Sequence, residues 1–449
     1  MVIIDHTRCA YCGGCVSVCP MEALTLAETR LVVNDSCVDC GDCVLACPVG
    51  ALQADEARIA SRQAHVRPRY DVVVVGAGPG GAIAAQVAAK AGLAVLLIEK
   101  RQEIGSPVRC AEGVGHDSLV SFVEPEPKWI AAEVNQIEIT TIGDGATRTW
   151  HAAGGRGYIL ERRIFDRMLA ERAAQAGAEV RVKTAAIGLL TDKGIVRGVR
   201  IRRADAPNGA GETEVEAPVV IAPDGVEAQV GRWAGLDVQL PLPDTMVCAQ
   251  YLLASVNVDP TCTAYTISHE AAPGGYAWVF PKGEGRANVG LGVQADLWPE
   301  VSKPFSSDAA GAVGEGTALS FLTRFIEARP ALAQGYPVTF MAGNVPVALS
   351  PSRVVTDGLM LVGDAARQVD SLTGGGIINA MTAGRLAAQA ATEAVASGDT
   401  SARFLSRYEE QWQRSVGHKL QRNYRLRDRF APTQRTDERF VRAFALAAK

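Results

Sequence analysis

The chain has 449 residues, of which 48% are hydrophobic, and a formal net charge of −4. This length and composition predict a globular protein of about two to four structural units, and we expect no nucleic-acid partner. No apolar run approaches the roughly 18 residues that span a bilayer, and the N-terminus lacks a signal peptide, so a cytoplasmic protein is expected.

The first 47 residues hold eight of the eleven cysteines. The run Cys9-Ala-Tyr-Cys12-Gly-Gly-Cys15-Val-Ser-Val-Cys19-Pro20 recurs 28 residues later as Cys37-Val-Asp-Cys40-Gly-Asp-Cys43-Val-Leu-Ala-Cys47-Pro48. In a cytoplasmic chain this density indicates metal binding rather than disulfides. Structural zinc is the plainer alternative, but a tetrahedral zinc ion has no use for a doubled four-cysteine run that ends in proline.

Residues 1–56 resemble the bacterial ferredoxin that carries two clusters. In such proteins three cysteines at two-residue spacing hold one cubane and the fourth cysteine ligates the other. The resemblance implies a small α+β domain with two [4Fe–4S] clusters, one on Cys9, Cys12, Cys15 and Cys47, and one on Cys19, Cys37, Cys40 and Cys43. The segment carries eight acidic and two basic residues, and residues 57–69 are predicted to be a linker.

A nucleotide-binding turn follows. Residues 71–75 are a β-branched run typical of a buried parallel strand, and they lead into Gly76-Ala-Gly78-Pro-Gly80-Gly81. In this GxGxxG pattern Gly76 permits the tight turn, Gly78 lets a pyrophosphate approach, and Gly81 lets the helix pack on the strand.

The elements after the turn extend this prediction. A helix is expected over residues 80–91, and its N-terminus would face the phosphates. A second strand, residues 94–98, ends at Glu99, where an acid can accept both ribose hydroxyls of an adenosine. Strand, turn, helix, strand and acid in this order predict a dinucleotide-binding fold.

Cys110 lies in a loop rich in glycine and proline directly after these strands. We predict that it lies beside the cofactor, with an inert buried thiol as the alternative. Cys248 and Cys262 are predicted to be inert small hydrophobic residues.

Further along, the stretch 157–166, which contains Arg162, is expected to open a helix that ends at Gly177, followed by a strand over 179–182 and a turn near Ala186. A late strand ends in Gly363-Asp364, and a helix rich in glycine and alanine starts near Gly376 and Ile377. The acid can bind a polyol hydroxyl, and the helix N-terminus can face the electron-rich edge of a flavin pyrimidine ring.

Residues 236–340 alternate apolar and polar side chains, which predicts a separate antiparallel sheet that carries the substrate wall. Within it, Tyr276, Trp278 and Phe280 share one strand face at a period of two, which suits a prenyl chain. Ordinary sheet core is the alternative for these aromatic residues.

These motifs together resemble flavoproteins of the para-hydroxybenzoate hydroxylase type. Within that group, GSPVRCAEG, GGYAWVFPKG and GDAARQVDSLTGGGI are similar to the geranylgeranyl reductase family. The resemblance implies a Rossmann-like α/β domain that binds FAD, formed by residues 70–235 and 341–395. Two features depart from the family: the fused ferredoxin segment, and Asp224 after Ala-Pro where alanine or glycine is usual.

The resemblance also implies roles for individual residues. Beyond the glycine turn and Glu99, FAD would contact Cys110, Ala111, Gly113, Arg162, Ala186, Asp364, Gly376 and Ile377. Cys110, Tyr276 and Trp278 are the catalytic candidates, Cys110 as a proton donor or as a group that holds the substrate face.

The expected reaction is the saturation of carbon–carbon double bonds in a prenyl lipid. The clusters would pass single electrons to FAD, the reduced flavin would deliver hydride, and a low-potential donor such as another ferredoxin or a reductase would supply the electrons. An alternative is an electron carrier that resembles electron-transfer-flavoprotein:quinone oxidoreductases, and a third is a flavin monooxygenase.

Residues 396–449 are predicted to be a basic helical segment. Residues 401–449 carry twelve lysines or arginines and five acids. For residues 404–430, a plain solvated helix is the first expectation. The alternatives are peripheral contact with an anionic membrane and docking of the acidic ferredoxin segment.

Overall fold

The computed structural model describes residues 2–27, 30–38, 40–53, 68–143, 146–203, 212–297, 316–430 and 438–447. The predicted linker, residues 57–69, lies outside the described residues except for its last two positions. Within the described ranges, no helix combines the length and the apolar character needed to cross a bilayer.

The cysteine-rich segment forms a small unit of two similar halves. Each half has a one-turn helix that follows a glycine with positive φ, Gly13 at 76° and Gly41 at 85°, a backbone that side chains rarely adopt. Its core contains Leu24, Leu31 and Leu52 with the cysteines. The elements are β1 (Ile3–Ile4), α1 (Gly14–Ser17), β2 (Leu24–Ala27), β3 (Arg30–Val33), α2 (Asp42–Leu45) and β4 (Leu52–Gln53).

The nucleotide-binding half is built on a six-stranded sheet in the order β10-β6-β5-β14-β21-β20. All neighbours pair in parallel except β20 and β21. Every residue of the central strands is buried, which explains their continuous apolar runs. The strands are β5 (Val72–Val75), β6 (Val95–Ile98), β10 (Glu179–Arg181), β14 (Val219–Ala222), β20 (Val355–Thr356) and β21 (Leu359–Leu361).

Helices cover this sheet, and two of them cross closely at glycines. A Cβ atom on Gly384 would lie 2.1 Å from the carbonyl oxygen of Gly80, so glycine is needed where these helices meet. The helices are α3 (Pro79–Lys90), α4 (His116–Val120), α5 (Arg162–Gln175), α6 (Gln229–Trp233) and α9 (Ile377–Ser397). The predicted helices of this half are present, but residues 157–160, expected at the opening of the second one, end strand β9 (Ala146–Leu160), and the helix begins at Arg162.

A small antiparallel sheet follows the parallel one. It contains β11 (Thr184–Asp192), β12 (Ile195–Arg203) and β13 (Glu212–Glu216). The turn predicted near Ala186 is wrong, because Ala186 lies in β11 beside a bulge. The chain turns earlier, at Lys183, whose φ of 50° is left-handed.

The second large sheet has eight strands in the order β19-β15-β18-β17-β16-β8-β9-β7. It extends beyond the predicted range 236–340, because a long bulged hairpin, β8 with β9, joins it through a parallel pairing of β8 with β16. The strands are β7 (Gly113–Gly115), β8 (Ile130–Gly143), β9 (Ala146–Leu160), β15 (Thr245–Ala254), β16 (Cys262–Ser268), β17 (Tyr276–Pro281), β18 (Ala287–Gln294) and β19 (Tyr336–Pro346). Helices α7 (Ala318–Glu327) and α8 (Pro330–Ala333) accompany it. The domain bounds drawn from the sequence stay a prediction.

The C-terminal segment forms α10 (Ala402–Trp412), a π-helical turn, α11 (His418–Phe430) and α12 (Glu438–Ala447). The expectation of a plain solvated helix over residues 404–430 is wrong, because Tyr408 and Trp412 are buried. Phe444 of α12 is buried too. One face of each of these helices packs on the protein, and the basic residues lie mainly on the other faces.

Candidate active site

One cavity of about 750 Å³ lies at the carboxyl ends of the parallel strands and extends to the face of the eight-stranded sheet. Open α/β sheets bind ligands at this edge. The predicted cofactor-binding residues that line the cavity are Gly76, Gly78, Gly80, Glu99, Cys110, Ala111, Gly113, Arg162, Ala186, Asp364, Gly376 and Ile377. The catalytic candidates Tyr276 and Trp278 line it as well. Gly81 does not.

The turn between β5 and α3 forms the first end of the cavity. A Cβ atom on Gly81 would lie 1.9 Å from the carbonyl oxygen of Gly76, so Gly81 acts by letting the helix approach the strand. Gly78 is different, because, apart from its neighbours in the chain, no atom of the described residues lies within 4 Å of the position its Cβ atom would take. The open space at Gly78 and the free N–H groups at the start of α3 suit a pyrophosphate.

Two acids stand beside this turn. The Glu99 carboxylate accepts the backbone N–H groups of Ala77 (3.1 Å) and Arg101 (3.0 Å), which fixes it at the cavity wall. Asp224 Oδ2 accepts the Val230 N–H at 2.9 Å, while its buried Oδ1 has no partner among the described residues. Burial raises the pKa of Asp224 to about 6. An unpartnered buried oxygen in a nucleotide cavity fits a donor group of a bound ligand.

Asp364 and the start of α9 line the cavity further along. Burial raises the pKa of the Asp364 carboxyl, and the nearby Arg162 opposes that rise. Gly376 precedes the 21-residue helix α9, so the positive end of a long helix dipole faces the cavity. The Asp364 carboxyl fits a polyol hydroxyl, and the N-terminus of α9 fits an electron-rich ring edge. These are the groups expected here from the sequence.

Arg162 is a permanent cation in the wall. Its guanidinium forms two hydrogen bonds with Asp166, at 2.7 and 2.6 Å, between residues one helical turn apart. Burial works against the charge, but Asp166 outweighs it and raises the pKa of Arg162. The side chain therefore stays protonated next to Cys110.

The Cys110 loop is fixed by side chains from the opposite sheet. Gln250 donates to the Cys110 carbonyl oxygen at 3.1 Å, and Asn288 donates to that of Ala111 at 3.2 Å. Burial raises the pKa of the Cys110 thiol, against a smaller lowering by Arg162. The thiol is therefore neutral and carries a proton at neutral pH.

Glu112 anchors this loop through a buried ion pair. Its Oε1 accepts the Arg162 N–H at 2.8 Å, and its Oε2 accepts Lys282 Nζ and Asn288 Nδ2, both at 2.8 Å. The side chains of Glu112 and Lys282 are only 4% and 3% exposed. Glu112 also has a left-handed backbone, with φ at 75°, which its three hydrogen bonds hold in place.

The far wall of the cavity is aromatic. Tyr276 and Trp278 meet edge to face with 5.9 Å between ring centroids, and Phe444 of α12 packs on Tyr276 at 5.2 Å. The Tyr276 hydroxyl donates to the Thr373 carbonyl oxygen, and the Trp278 indole N–H donates to Gln250 Oε1 at 2.7 Å. Their polar atoms are thus occupied, and their rings give the wall an apolar surface.

Two small cavities lie among the cysteines of the N-terminal unit. Cys9, Cys12, Cys15 and Cys47 line one, and Cys19, Cys37, Cys40 and Cys43 line the other. The grouping is the crossed one that the ferredoxin resemblance implies. Four sulfur donors around each cavity fit a cluster of iron and sulfur. Within the described ranges, no three His, Cys, Asp or Glu side chains are placed to share a single metal ion.

Comparison with known proteins decides the family. Residues 71–271 match the model of FAD dependent oxidoreductases, residues 244–306 the geranylgeranyl reductase catalytic domain, and residues 1–48 the 4Fe-4S dicluster domain. The digeranylgeranylglycerophospholipid reductase of Methanosphaerula palustris is 45% identical over 81% of this chain and 87% of the relative. The protein of that name in Methanosarcina acetivorans is 48% identical over 78% and 82%. The chain belongs to the geranylgeranyl reductase family.

A solved structure agrees with this assignment. The geranylgeranyl bacteriochlorophyll reductase-like protein of Thermoplasma acidophilum superposes with a TM-score of 0.73 at 40% identity, over 81% of this chain and 88% of that protein. The predicted family, the α/β fold and the oxidoreductase class are confirmed. The chain is thus an FAD-dependent enzyme with an iron–sulfur domain.

Several residues of the candidate active site were not predicted from the sequence. Gln250, Lys282 and Asn288 hold the Cys110 loop, and Phe444 completes the aromatic wall. Lys282 had a signal, since it directly follows the Phe-Pro pair of β17, but its partner is 170 residues away in the chain. Cys248, predicted to be an inert core residue, lines the main cavity, and burial raises its pKa to about 12.

Proposed function

We propose that this enzyme saturates carbon–carbon double bonds of a geranylgeranyl lipid, with electrons that pass through two [4Fe–4S] clusters to FAD. The observation that supports this most is the continuity of the cavity, which joins the phosphate turn at Gly78 to the aromatic wall at Trp278. A nucleotide and an apolar chain could therefore lie against each other. The relatives named for digeranylgeranylglycerophospholipid make that lipid the first substrate to test.

FAD would be held along the length of the cavity by residues of the nucleotide-binding half. The proposed contacts are those predicted from the sequence, with the addition of Asp224, while Gly81 acts through helix packing. When bound, FAD supplies the two electrons that each double bond takes up, and the clusters supply electrons singly.

The remaining task of the protein is to supply a proton and exclude water. Cys110 carries its proton at Sγ because burial keeps the thiol neutral. Tyr276 is less suited, because burial holds its pKa well above the usual value and its proton is engaged by the Thr373 carbonyl oxygen. We therefore assign the proton to Cys110 and a positioning role to Tyr276 and Trp278, whose rings would hold the prenyl chain.

The test is product analysis with anaerobically reconstituted holoenzyme, which should contain about eight irons and one FAD per chain. Incubation with reductant and digeranylgeranylglycerophospholipid should raise the mass of the lipid by two hydrogen atoms for each saturated bond. Oxidation of the reduced enzyme by a quinone, with the lipid mass unchanged, would instead support the electron-carrier alternative. Incorporation of oxygen into the lipid would support a monooxygenase.

A further inference from the structure

A lysine at one turn of the nucleotide-binding half reaches the cysteine-rich unit. Lys183 lies between β10 and β11 with a left-handed backbone, and its ammonium group donates to the carbonyl oxygen of Cys9 at 2.9 Å. The same group lies over the Tyr11 ring, 5.9 Å from its centroid. One cation thus makes two contacts with the loop that carries the first cysteine.

The turn that carries Lys183 is itself tied to the cavity wall. The Lys183 N–H donates to the Arg101 carbonyl oxygen and the Thr184 N–H to that of Glu99, both at 2.9 Å. Glu99, Arg101 and Thr184 all line the main cavity. The contact with Cys9 is therefore one short turn away from the nucleotide site.

The loop around Cys9, whose carbonyl oxygen accepts the Lys183 ammonium group, is also held by hydrogen bonds. Asp5 Oδ1 accepts the backbone N–H groups of Thr7 (2.8 Å) and Arg8 (3.2 Å), and the Tyr11 N–H donates to Cys9 Sγ at 3.4 Å. These bonds fix the loop whose Cys9 carbonyl accepts Lys183 and whose Cys9, Tyr11 and Cys12 line the first cysteine cavity. The acidic character of residues 1–56 favours a cation at this position.

The other cysteine-lined cavity has a different environment. Two of its wall residues, Met21 and Val38, are 46% and 61% exposed, against 37% for Val49 in the wall of the first cavity. Each cavity has one exposed cysteine, Cys40 here and Cys12 in the first. An exposed apolar rim beside exposed acids such as Glu22 and Asp42 is suited to transient contact with another protein.

We propose that Lys183 docks the cysteine-rich unit on the nucleotide-binding half, so that the cavity of Cys9, Cys12, Cys15 and Cys47 lies on the side of FAD and that of Cys19, Cys37, Cys40 and Cys43 faces outward. The docking contact stands on the structure alone. The contact also implies an order of electron flow, in which the outer cysteine group is reduced before the inner one. This order rests on the proposed function.

The test compares K183E with K193E and K183R in the reconstituted holoenzyme. Lys193 is a matched control, since it is an exposed lysine at the next turn with nearly the same φ, 49°. Amide hydrogen exchange in residues 5–12 should become about tenfold faster in K183E, because a charge-assisted hydrogen bond is replaced by repulsion from an acidic surface. K193E should exchange as the parent does, and K183R should retain most of the protection.

A second measurement follows flavin reduction after mixing with dithionite, at matched iron content and with unchanged cluster EPR spectra. A variant that lacks two thiolate ligands at each group, C12A/C15A/C40A/C43A, and that contains no iron gives the rate of direct flavin reduction. K183E should fall toward that rate, whereas K193E should not.

The outcomes separate the two ideas. Equal exchange in K183E and K193E would overturn the docking. Faster exchange in K183E with an unchanged rate of flavin reduction would overturn the order of the two cysteine groups. Equal flavin reduction in the parent and in C12A/C15A/C40A/C43A would contradict the proposed relay, while the exchange result would still decide the docking.

Discussion

The two ends of the main cavity are built in different ways. The phosphate end comes mainly from one stretch, residues 76–99. It depends on the backbone conformation of the turn and on glycines, which leave space for the ligand and for the close approach of the helix. The Cys110 end depends on side chains that reach across the molecule, with Glu112 bonded to Lys282 and Asn288 at separations of 170 and 176 residues. A local motif can form a binding turn, but a charged network of distant residues must be completed by the whole fold.

The largest effect is expected from breaking that network. K282M would leave the Glu112 carboxylate buried without its cation and should lower the free energy of unfolding by about 3–5 kcal/mol. E112Q/K282M should recover much of the loss, because the double change removes both charges and retains an acceptor for the Arg162 N–H. Denaturant unfolding of the apoprotein measures both values.

The control for this prediction is an exposed ion pair. Arg163 and Glu103 form two hydrogen bonds of 3.0 Å, but the arginine side chain is 59% exposed. R163A should therefore cost at most about 1 kcal/mol. If K282M costs no more than R163A, the Cys110 loop does not depend on the buried pair.

The next effect tests the chemistry at this end. C110S should lower the turnover of lipid by about 100-fold at unchanged FAD content, because a hydroxyl is a much weaker acid than the thiol it replaces. C248S is the matched control, since Cys248 lines the same cavity, and it should lower turnover far less. Equal turnover in C110S and the parent would remove Cys110 from the proton transfer.

At the phosphate end, replacing one glycine by alanine should affect either the stability of the apoprotein or the binding of FAD, depending on the position. G81A places a Cβ atom against the Gly76 carbonyl oxygen and should destabilise the apoprotein by about 2 kcal/mol. G78A meets open space and should leave the unfolding temperature of the apoprotein unchanged while it weakens FAD binding, because the methyl group takes the space of the pyrophosphate. Thermal unfolding and FAD titration distinguish the two, and equal loss of stability in both would contradict the separate roles.

The last effect is a pH dependence at Asp224, which changes stability only over a narrow acidic range. Its pKa of about 6 lies above the usual 3.8, so the native apoprotein keeps the proton that the unfolded chain loses. The free energy of unfolding should fall as the pH rises from about 4 to about 6, by up to about 3 kcal/mol, and stay level above that range. D224N should lack this component. Thermal unfolding between pH 4 and pH 7 checks it, and parallel curves for D224N and the parent would show that Asp224 is not the group involved.

The amino-acid sequence alone determined those features that depend on neighbours in the chain. The doubled CxxCxxC run, the GxGxxG turn with its flanking strands, and Glu99 could be recognised because spacing along the backbone sets their geometry. Only the tertiary structure decided the anchoring of Cys110 by Glu112 and Lys282, the place of Phe444 in the aromatic wall, and the contact of Lys183 with Cys9. In these, the partners are distant in the chain, and their pairing depends on how sheets and helices pack, which local periodicity does not specify.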